Sequence, residues 1–150
     1  MAKATRTRPL RVLIVDRDRH VRQSLTGLMN LADELEVVGA VGDGASALAE
    51  IDLAGPDVVL VDPCLPDLAD GFSLMERVSE DWPSIRVVAM SCWDEFKDPV
   101  LRSGAAAFVA KAGPPTDFVG AIVAAARHDE KARRARRRAD TRVSPHRRLW

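Results

Sequence analysis

A short apolar run that ends on a carboxylate places the strongest constraint on how this chain can fold. Val58 to Val61 are four consecutive branched apolar residues, a pattern typical of a strand buried on both faces. The strand must end at or just after Asp62, because Pro63 and Pro66 cannot continue a central strand. Ligand sites in open α/β sheets form at the carboxyl ends of the strands. Asp62 is therefore either part of such a site or simply a cap on the loop.

Four more apolar runs alternate with segments of helical periodicity and predict the rest of the sheet. The additional strands are predicted at residues 10–15, 35–41, 85–90 and 105–110, and the helices at 21–32, 44–54, 71–80, 94–103 and 116 to about 139. Asp43 is the predicted N-cap of the second helix, Asp98 (followed by Pro99) that of the fourth, and Thr116 that of the fifth. Five strands alternating with five helices predict a single α/β domain with a doubly wound parallel sheet.

Length and composition agree with one domain that carries short extensions. The 150 residues are 47% hydrophobic, which is ample for one core. We divide the chain into an N-terminal extension (1–9), a folded domain (10–126) and a basic helical extension and tail (127–150). The sequence contains no run of 18 apolar residues, no recognisable signal peptide, and too few cysteines for a disulfide framework or a zinc quartet. We therefore expect a cytoplasmic protein without a membrane span.

The formal net charge of zero conceals an acidic body and a basic tail. Residues 127–150 contain ten Lys and Arg and three Asp and Glu residues, a net charge of +7. Residues 1–126 contain twelve Lys and Arg and nineteen Asp and Glu residues, a net charge of −7. The acidity of the body favours a cation or a basic partner, whereas the tail can contact nucleic acid, an acidic surface or only water.

Four chemically related residues follow the ends of predicted strands, namely Asp16, Asp62, Ser91 and Lys111. Because the carboxyl ends of parallel strands converge on one edge of a sheet, we expect these side chains to share one pocket. A carboxylate can accept a phosphoryl group. A lysine and a hydroxyl can stabilise the negative charge of that group, and carboxylates can hold Mg²⁺ against it. The combination indicates phosphoryl acceptance.

These residues lie in segments that resemble the response regulator receiver domain of two-component signalling. The resemblance covers residues 10–126 and implies a flavodoxin-like (βα)5 fold with strand order 2-1-3-4-5. It extends to the subfamily in which a helix-turn-helix domain usually follows the receiver. The matching segments are residues 12–16, residues 57–62 with Pro66 four residues on, Asp70-Gly71, residues 87–91, and Gly104-Ala105 leading to Phe108 and Lys111.

The resemblance implies roles for the site residues and a set of partners. Asp62 would be the phosphoacceptor, with Ser91 and Lys111 as its catalytic neighbours, and Ser91 and Phe108 would be the switch residues. The partners would be a histidine kinase or phosphotransfer protein, and a downstream protein on the face formed by the fourth helix, fifth strand and fifth helix. A homodimer is a further implication. No enzymatic activity is implied beyond the domain's own phosphotransfer and dephosphorylation.

The metal site departs from the family pattern. The resemblance implies Mg²⁺ held by Asp16, Asp62 and the backbone carbonyl of Cys64, but the family has a second acid where this chain has Arg17. A guanidinium repels the ion, and unit charges about 4 Å apart interact by about 4 kcal/mol at an effective dielectric of about 20. Three interpretations remain open: Asp18 replaces the missing ligand, Arg17 pairs with Asp62 and stands in for the metal, or Arg17 points to solvent and Mg²⁺ binds weakly.

Two main functions follow from these alternatives. The first is a phosphoaccepting signalling switch that acts through Asp62 and a changed interaction surface. The second is a phosphorylation-independent pseudo-receiver, a protein-interaction module whose Asp62 is held by Arg17 or Lys111. A lesser alternative is nucleic-acid binding through the basic tail, although a solvated helix end explains its arginines equally well.

Overall fold

The chain folds into a five-stranded parallel sheet with helices on both faces. In the computed structural model, which describes residues 8–142, the strand order is β2-β1-β3-β4-β5, as predicted. The strands are β1 (Leu10–Val15), β2 (Leu35–Val41), β3 (Val58–Val61), β4 (Arg86–Ser91) and β5 (Ala107–Ala110). The helices are α1 (Arg19–Asn30), α2 (Gly44–Ala54), α3 (Leu68–Asp81), α4 (Lys97–Arg102) and α5 (Pro115–Arg142).

Two apolar cores, one on each face of the sheet, hold this arrangement together. Successive side chains of a strand point to opposite faces, so Val12 and Ile14 of β1 enter one core while Leu13 and Val15 enter the other. Helices α1 and α5 cover the first core, and α2, α3 and α4 cover the second. All four of these β1 side chains are fully buried, which explains why this part of β1 is a continuous apolar run without polar alternation.

Helix α1 begins two residues before its predicted start. The prediction placed residues 16–20 in a charged loop, because the apolar periodicity begins only at Val21. Instead, the Asp18 carboxylate accepts hydrogen bonds from the backbone N–H groups of His20 at 2.8 Å and Val21 at 3.3 Å, which is the geometry of an N-cap. The first turn of α1 is polar, so apolar spacing could not reveal it.

Helix α3 also begins early, at Leu68 instead of the predicted Gly71. The Asp67 carboxylate caps it by accepting a hydrogen bond from the backbone N–H of Asp70 at 3.0 Å. The first turn of α3 therefore passes close to the loop that follows β3. The ideal Cβ position of Gly71 lies only 1.5 Å from the carbonyl oxygen of Pro63 in that loop.

The predicted N-caps of the last two helices are wrong. A 3₁₀ turn (Asp94–Phe96) leads directly into α4, so Asp98 lies in the first turn of that helix instead of capping it. Pro99 follows there without penalty, because the N–H groups of a first turn have no intrahelical partner. Helix α4 has only six residues. Helix α5 starts at Pro115, which places Thr116 inside its first turn, and it continues to Arg142.

The remaining boundary differences are small. Strand β4 is shifted by one residue towards its carboxyl end, and β5 begins two residues later than predicted. Between residues 8 and 142, no helix is both long enough and apolar enough to cross a lipid bilayer.

Candidate functional site

Lys111 joins two carboxylates at the carboxyl edge of the sheet. Its Nζ donates hydrogen bonds to Oδ2 of Asp16 at 2.6 Å and to Oδ2 of Asp62. Val15 is the register partner of Val61, so Asp16 and Asp62 leave adjacent strands at the same level. The Asp16 side chain is 2% exposed, and the side chains of Asp62 and Lys111 are each 14% exposed. The fold thus brings three predicted site residues together in a cluster that water reaches only narrowly.

The second oxygen of each carboxylate accepts a main-chain hydrogen bond. Oδ1 of Asp16 accepts from the N–H of Asp18 at 2.8 Å, and Oδ1 of Asp62 accepts from the N–H of Cys64 at 2.9 Å. Each carboxylate is therefore held at both oxygens, once by the loop that follows its strand and once by Lys111. Two carboxylates and one ammonium leave the cluster with one negative charge in excess.

The environment of the cluster changes the protonation behaviour of Lys111 and Cys64. Burial by itself lowers the pKa of Lys111, but hydrogen bonds to Asp16 and Asp62 and the charges of these two carboxylates outweigh it and raise the pKa above 10.5. Burial raises the pKa of the Cys64 thiol, and the negative charge of Asp62 adds to that effect. Lys111 is thus a cation at neutral pH, while the Cys64 thiol keeps its proton there.

The raised pKa of Lys111 predicts a loss of stability at alkaline pH. A group whose pKa is higher in the folded than in the unfolded state contributes its full stabilisation below the unfolded value of about 10.5, and loses it as the pH rises through the folded value. We expect urea unfolding midpoints, measured from about pH 9 to 12, to fall more steeply above about pH 10.5 for the wild type than for Lys111→Met. Parallel curves for the two proteins would show that Lys111 does not gain this stabilisation from the two carboxylates.

Ser91 lies on β4, which pairs with β3, and Phe108 lies on β5, which pairs with β4. Ser91 is buried at the end of β4, and its Oγ accepts a hydrogen bond from the backbone N–H of Trp93 at 3.1 Å. The backbone N–H of Lys111 donates to the carbonyl oxygen of Ser91 at 2.9 Å, which ties β5 to the end of β4. Phe108 lies half-buried on β5, packed against the core under α2, α3 and α4.

The structure offers few side chains as ligands for a metal ion at this site. Asp18, the suggested replacement ligand, is the N-cap of α1, and hydrogen bonds from the N–H groups of His20 and Val21 lower its pKa. Within residues 8–142, no group of three or more His, Cys, Asp and Glu side chains lies close enough together to hold a metal ion. Mg²⁺ is usually bound through one or two carboxylates together with phosphate and water. Asp16 and Asp62 meet that requirement, although Lys111 already occupies one oxygen of each.

Arg17 does not make the ion pair suggested for it. The side chain is exposed and has no hydrogen bond or ion pair with any residue in the described part of the chain. It is nevertheless near enough for its charge to lower the pKa of Cys64, against the larger raising effects of burial and Asp62. The cation that holds Asp62 is therefore Lys111, while Arg17 contributes a positive charge at the rim of the site.

The sequence reasoning missed Arg22 as a residue that positions the site. Its guanidinium donates a hydrogen bond from Nη1 to the carbonyl oxygen of Asp16 at 2.7 Å, which fixes the main chain where β1 ends. A Cβ atom at Gly42 would lie 2.8 Å from the same Nη1, so glycine leaves room for the side chain. The only sequence signal was the position of Arg22 one turn after the N-cap Asp18, which places it on the helix face next to β1.

Comparisons with known proteins agree with this geometry. A family model described as "Response regulator receiver domain" matches residues 12–123. The curated protein "Oxygen regulatory protein NreC" of Staphylococcus carnosus is 26% identical over 115 residues, which cover 75% of this chain and 53% of that protein. The chain therefore spans about half the length of the curated relatives it matches.

Solved structures give the same result. The signal receiver domain of the putative response regulator NarL from Mycobacterium tuberculosis superposes with a TM-score of 0.74 at 30% identity, covering 81% of this chain and 98% of that one. The response regulator domain of Thermotoga maritima CheB superposes with a TM-score of 0.72 at 25% identity, covering 80% and 98%.

Proposed function

Because the chain belongs to the family of response regulator receiver domains, we propose that it is a signalling switch that accepts a phosphoryl group on Asp62. The observation that carries the proposal is the contact of Lys111 with both Asp16 and Asp62 at the carboxyl edge of the sheet. The donor would be a phosphohistidine of a kinase or phosphotransfer protein. The phosphorus–nitrogen bond of the donor breaks, a phosphorus–oxygen bond to Asp62 forms, and the histidine leaves with the electron pair.

Each neighbour of Asp62 has a part in this transfer. The ammonium of Lys111 offsets negative charge that develops on the phosphoryl oxygens, and it is already in place before the donor arrives. The N–H of Cys64 holds one oxygen of Asp62 and so orients the other towards its partners. Asp16 keeps Lys111 at the site, because its buried carboxylate gives the ammonium a second partner.

Mg²⁺ is the cofactor that the family implies, and Asp16, Asp62 and the backbone carbonyl of Cys64 are the residues that would hold it. When bound, the ion would offset negative charge on the phosphoryl group. Arg17 stands at the rim with a positive charge and weakens the attraction of the site for the ion. We therefore propose weaker Mg²⁺ binding than in a receiver that has an acid at this position.

The signal would leave the site through Ser91. In the structure its hydroxyl accepts the hydrogen bond from the N–H of Trp93, a residue that is 59% exposed. We propose that the Ser91 hydroxyl turns to donate to the phosphoryl group, while Phe108 adjusts its half-buried position on β5. The loop from Ser91 to α4 then changes the surface that a downstream partner contacts.

Phosphoryl uptake from acetyl phosphate tests the proposal. The wild type with millimolar Mg²⁺ is expected to gain the mass of one phosphoryl group and to bind beryllofluoride, and Asp62→Asn is expected to do neither. Arg17→Asp should tighten Mg²⁺ binding about tenfold, because it changes the rim charge by two units and exposed charges each contribute up to about 1 kcal/mol. Equal labelling of Asp62→Asn would place the phosphoacceptor elsewhere.

The phosphorylation-independent pseudo-receiver is the second candidate function. It is favoured by Arg17 at the position of the family's second acid, because a positive charge there opposes the binding of Mg²⁺. A wild type that takes up no phosphoryl group at millimolar Mg²⁺, together with recovery in Arg17→Asp, would support this candidate over the switch.

A further inference from the structure

The part of α5 beyond Ala126 presents a line of cations along one side. Arg127, Lys131, Arg134 and Arg138 follow one another at intervals of four, three and four residues, and all four are exposed. Residues at these intervals share one face of a helix. The four cations, which we call the basic stripe, extend over about 17 Å at a rise of about 1.5 Å per residue. Two further exposed arginines, Arg136 and Arg137, lie on other faces of the same helix.

The chemistry of this helix distinguishes among polyanionic partners. A helix that enters a membrane surface needs large apolar residues beside its basic face. The described residues of α5 beyond Arg127 include only Ala132, Ala135 and Ala139 as apolar side chains. An acidic protein surface would likewise need a buried aromatic or aliphatic anchor, which three alanines do not supply. The phosphate backbone of nucleic acid needs only an array of cations, and the planar fork of arginine suits it best.

We propose that the basic stripe binds double-stranded nucleic acid through its phosphates, without reading the base sequence. The stripe is separate from the phosphoryl site, and its action does not depend on Asp62 being phosphorylated. The acidic body, with a net charge of −7 for residues 1–126, is repelled by the same phosphates. The duplex is therefore held along the protruding part of α5, and contacts to the sheet domain are disfavoured.

Fluorescence anisotropy with a labelled duplex of mixed sequence and the full chain tests this proposal. With four phosphate contacts, the logarithm of the affinity should fall against the logarithm of the salt concentration with a slope of about −4. Arg127→Gln with Arg138→Gln removes two stripe cations and should halve the slope to about −2, with a loss of affinity of about tenfold or more at about 50 mM salt. Arg136→Gln with Arg137→Gln removes the same charge off the stripe and should keep a slope near that of the wild type.

Three results would overturn the proposal. Equal losses in the two double variants would mean that net charge alone attracts the duplex. Absence of binding at about 50 mM salt would remove nucleic acid as a partner. Binding to phosphatidylserine vesicles but not to the duplex would make a lipid surface the partner. Far-UV circular dichroism of each variant checks that α5 keeps its helical content, so that a lost helix is not mistaken for a lost contact.

Discussion

Replacing Lys111 by methionine is expected to destabilise the folded protein by about 3 kcal/mol, because the substitution leaves Asp16 and Asp62 charged, close together and poorly solvated. The Asp16 side chain is 2% exposed and that of Asp62 is 14% exposed, so water can replace the ammonium only incompletely as their partner. Methionine keeps most of the volume and the flexibility of the lysine stem, which limits the packing change. Urea denaturation at neutral pH measures the effect.

Two companion variants separate the charge effect from other causes. Lys97→Met removes an exposed lysine from α4 and should change the stability by no more than about 0.5 kcal/mol. Adding Asp16→Asn to Lys111→Met should recover at least half of the loss, since only one buried charge then remains without a partner. If the double variant is no more stable than Lys111→Met, repulsion between the carboxylates is not the cause of the loss.

The sheet could be predicted from the sequence because its central strands β1, β3 and β4 are largely buried on both faces. Runs such as Val58 to Val61 have no polar alternative, and β1, β3, β4 and β5 end at or just before a carboxylate, a hydroxyl or a lysine that breaks the apolar pattern. The residues at which the helices begin were harder to predict than the strands. The first turn of α1 is polar and is fixed by the cap Asp18, whose effect is local hydrogen bonding that apolar spacing does not record. Helix α3 begins with Leu68 and Ala69 directly after its cap Asp67, which the prediction overlooked.

The sequence predicted which residues form the candidate site, but it did not predict which of them contact one another. Strand ends located Asp16, Asp62 and Lys111, because the topology sends all three to one edge. The sequence left open which cation holds Asp62, since Arg17 and Lys111 were both available. Their difference lies in position: Lys111 follows a strand end and reaches inward between the carboxylates, whereas Arg17 lies beyond β1 on an exposed turn. Only the three-dimensional arrangement resolves that choice.

Gly71→Ala is expected to cost about 3 kcal/mol or more of stability, because the new methyl group has no space. Its Cβ would lie 1.5 Å from the carbonyl oxygen of Pro63 and 2.3 Å from the carbonyl carbon. These are backbone atoms, so the strain cannot be relieved by turning a side chain, and the first turn of α3 or the loop after β3 must move. Urea denaturation of the variant measures the loss.

Two other helical glycines provide matched controls for this substitution. Gly27 in α1 and Gly120 in α5 have no atom within 4 Å of the ideal Cβ position, so alanine there should stabilise the protein by about 0.5–1 kcal/mol. The same chemical change should thus have opposite signs at different positions. If Gly71→Ala behaves like the controls, α3 does not approach the loop as closely as described.

The displacement caused by Gly71→Ala should also reach the proposed phosphoryl site. Pro63 follows Asp62 directly, and the next residue, Cys64, donates its N–H to Oδ1 of Asp62. A shift of this loop weakens the hydrogen bond that orients the carboxylate, so phosphoryl uptake from acetyl phosphate should slow at temperatures where the variant is still folded. Gly27→Ala should take up the group at the wild-type rate. Normal uptake by a destabilised Gly71→Ala would show that the orientation of Asp62 does not depend on this loop.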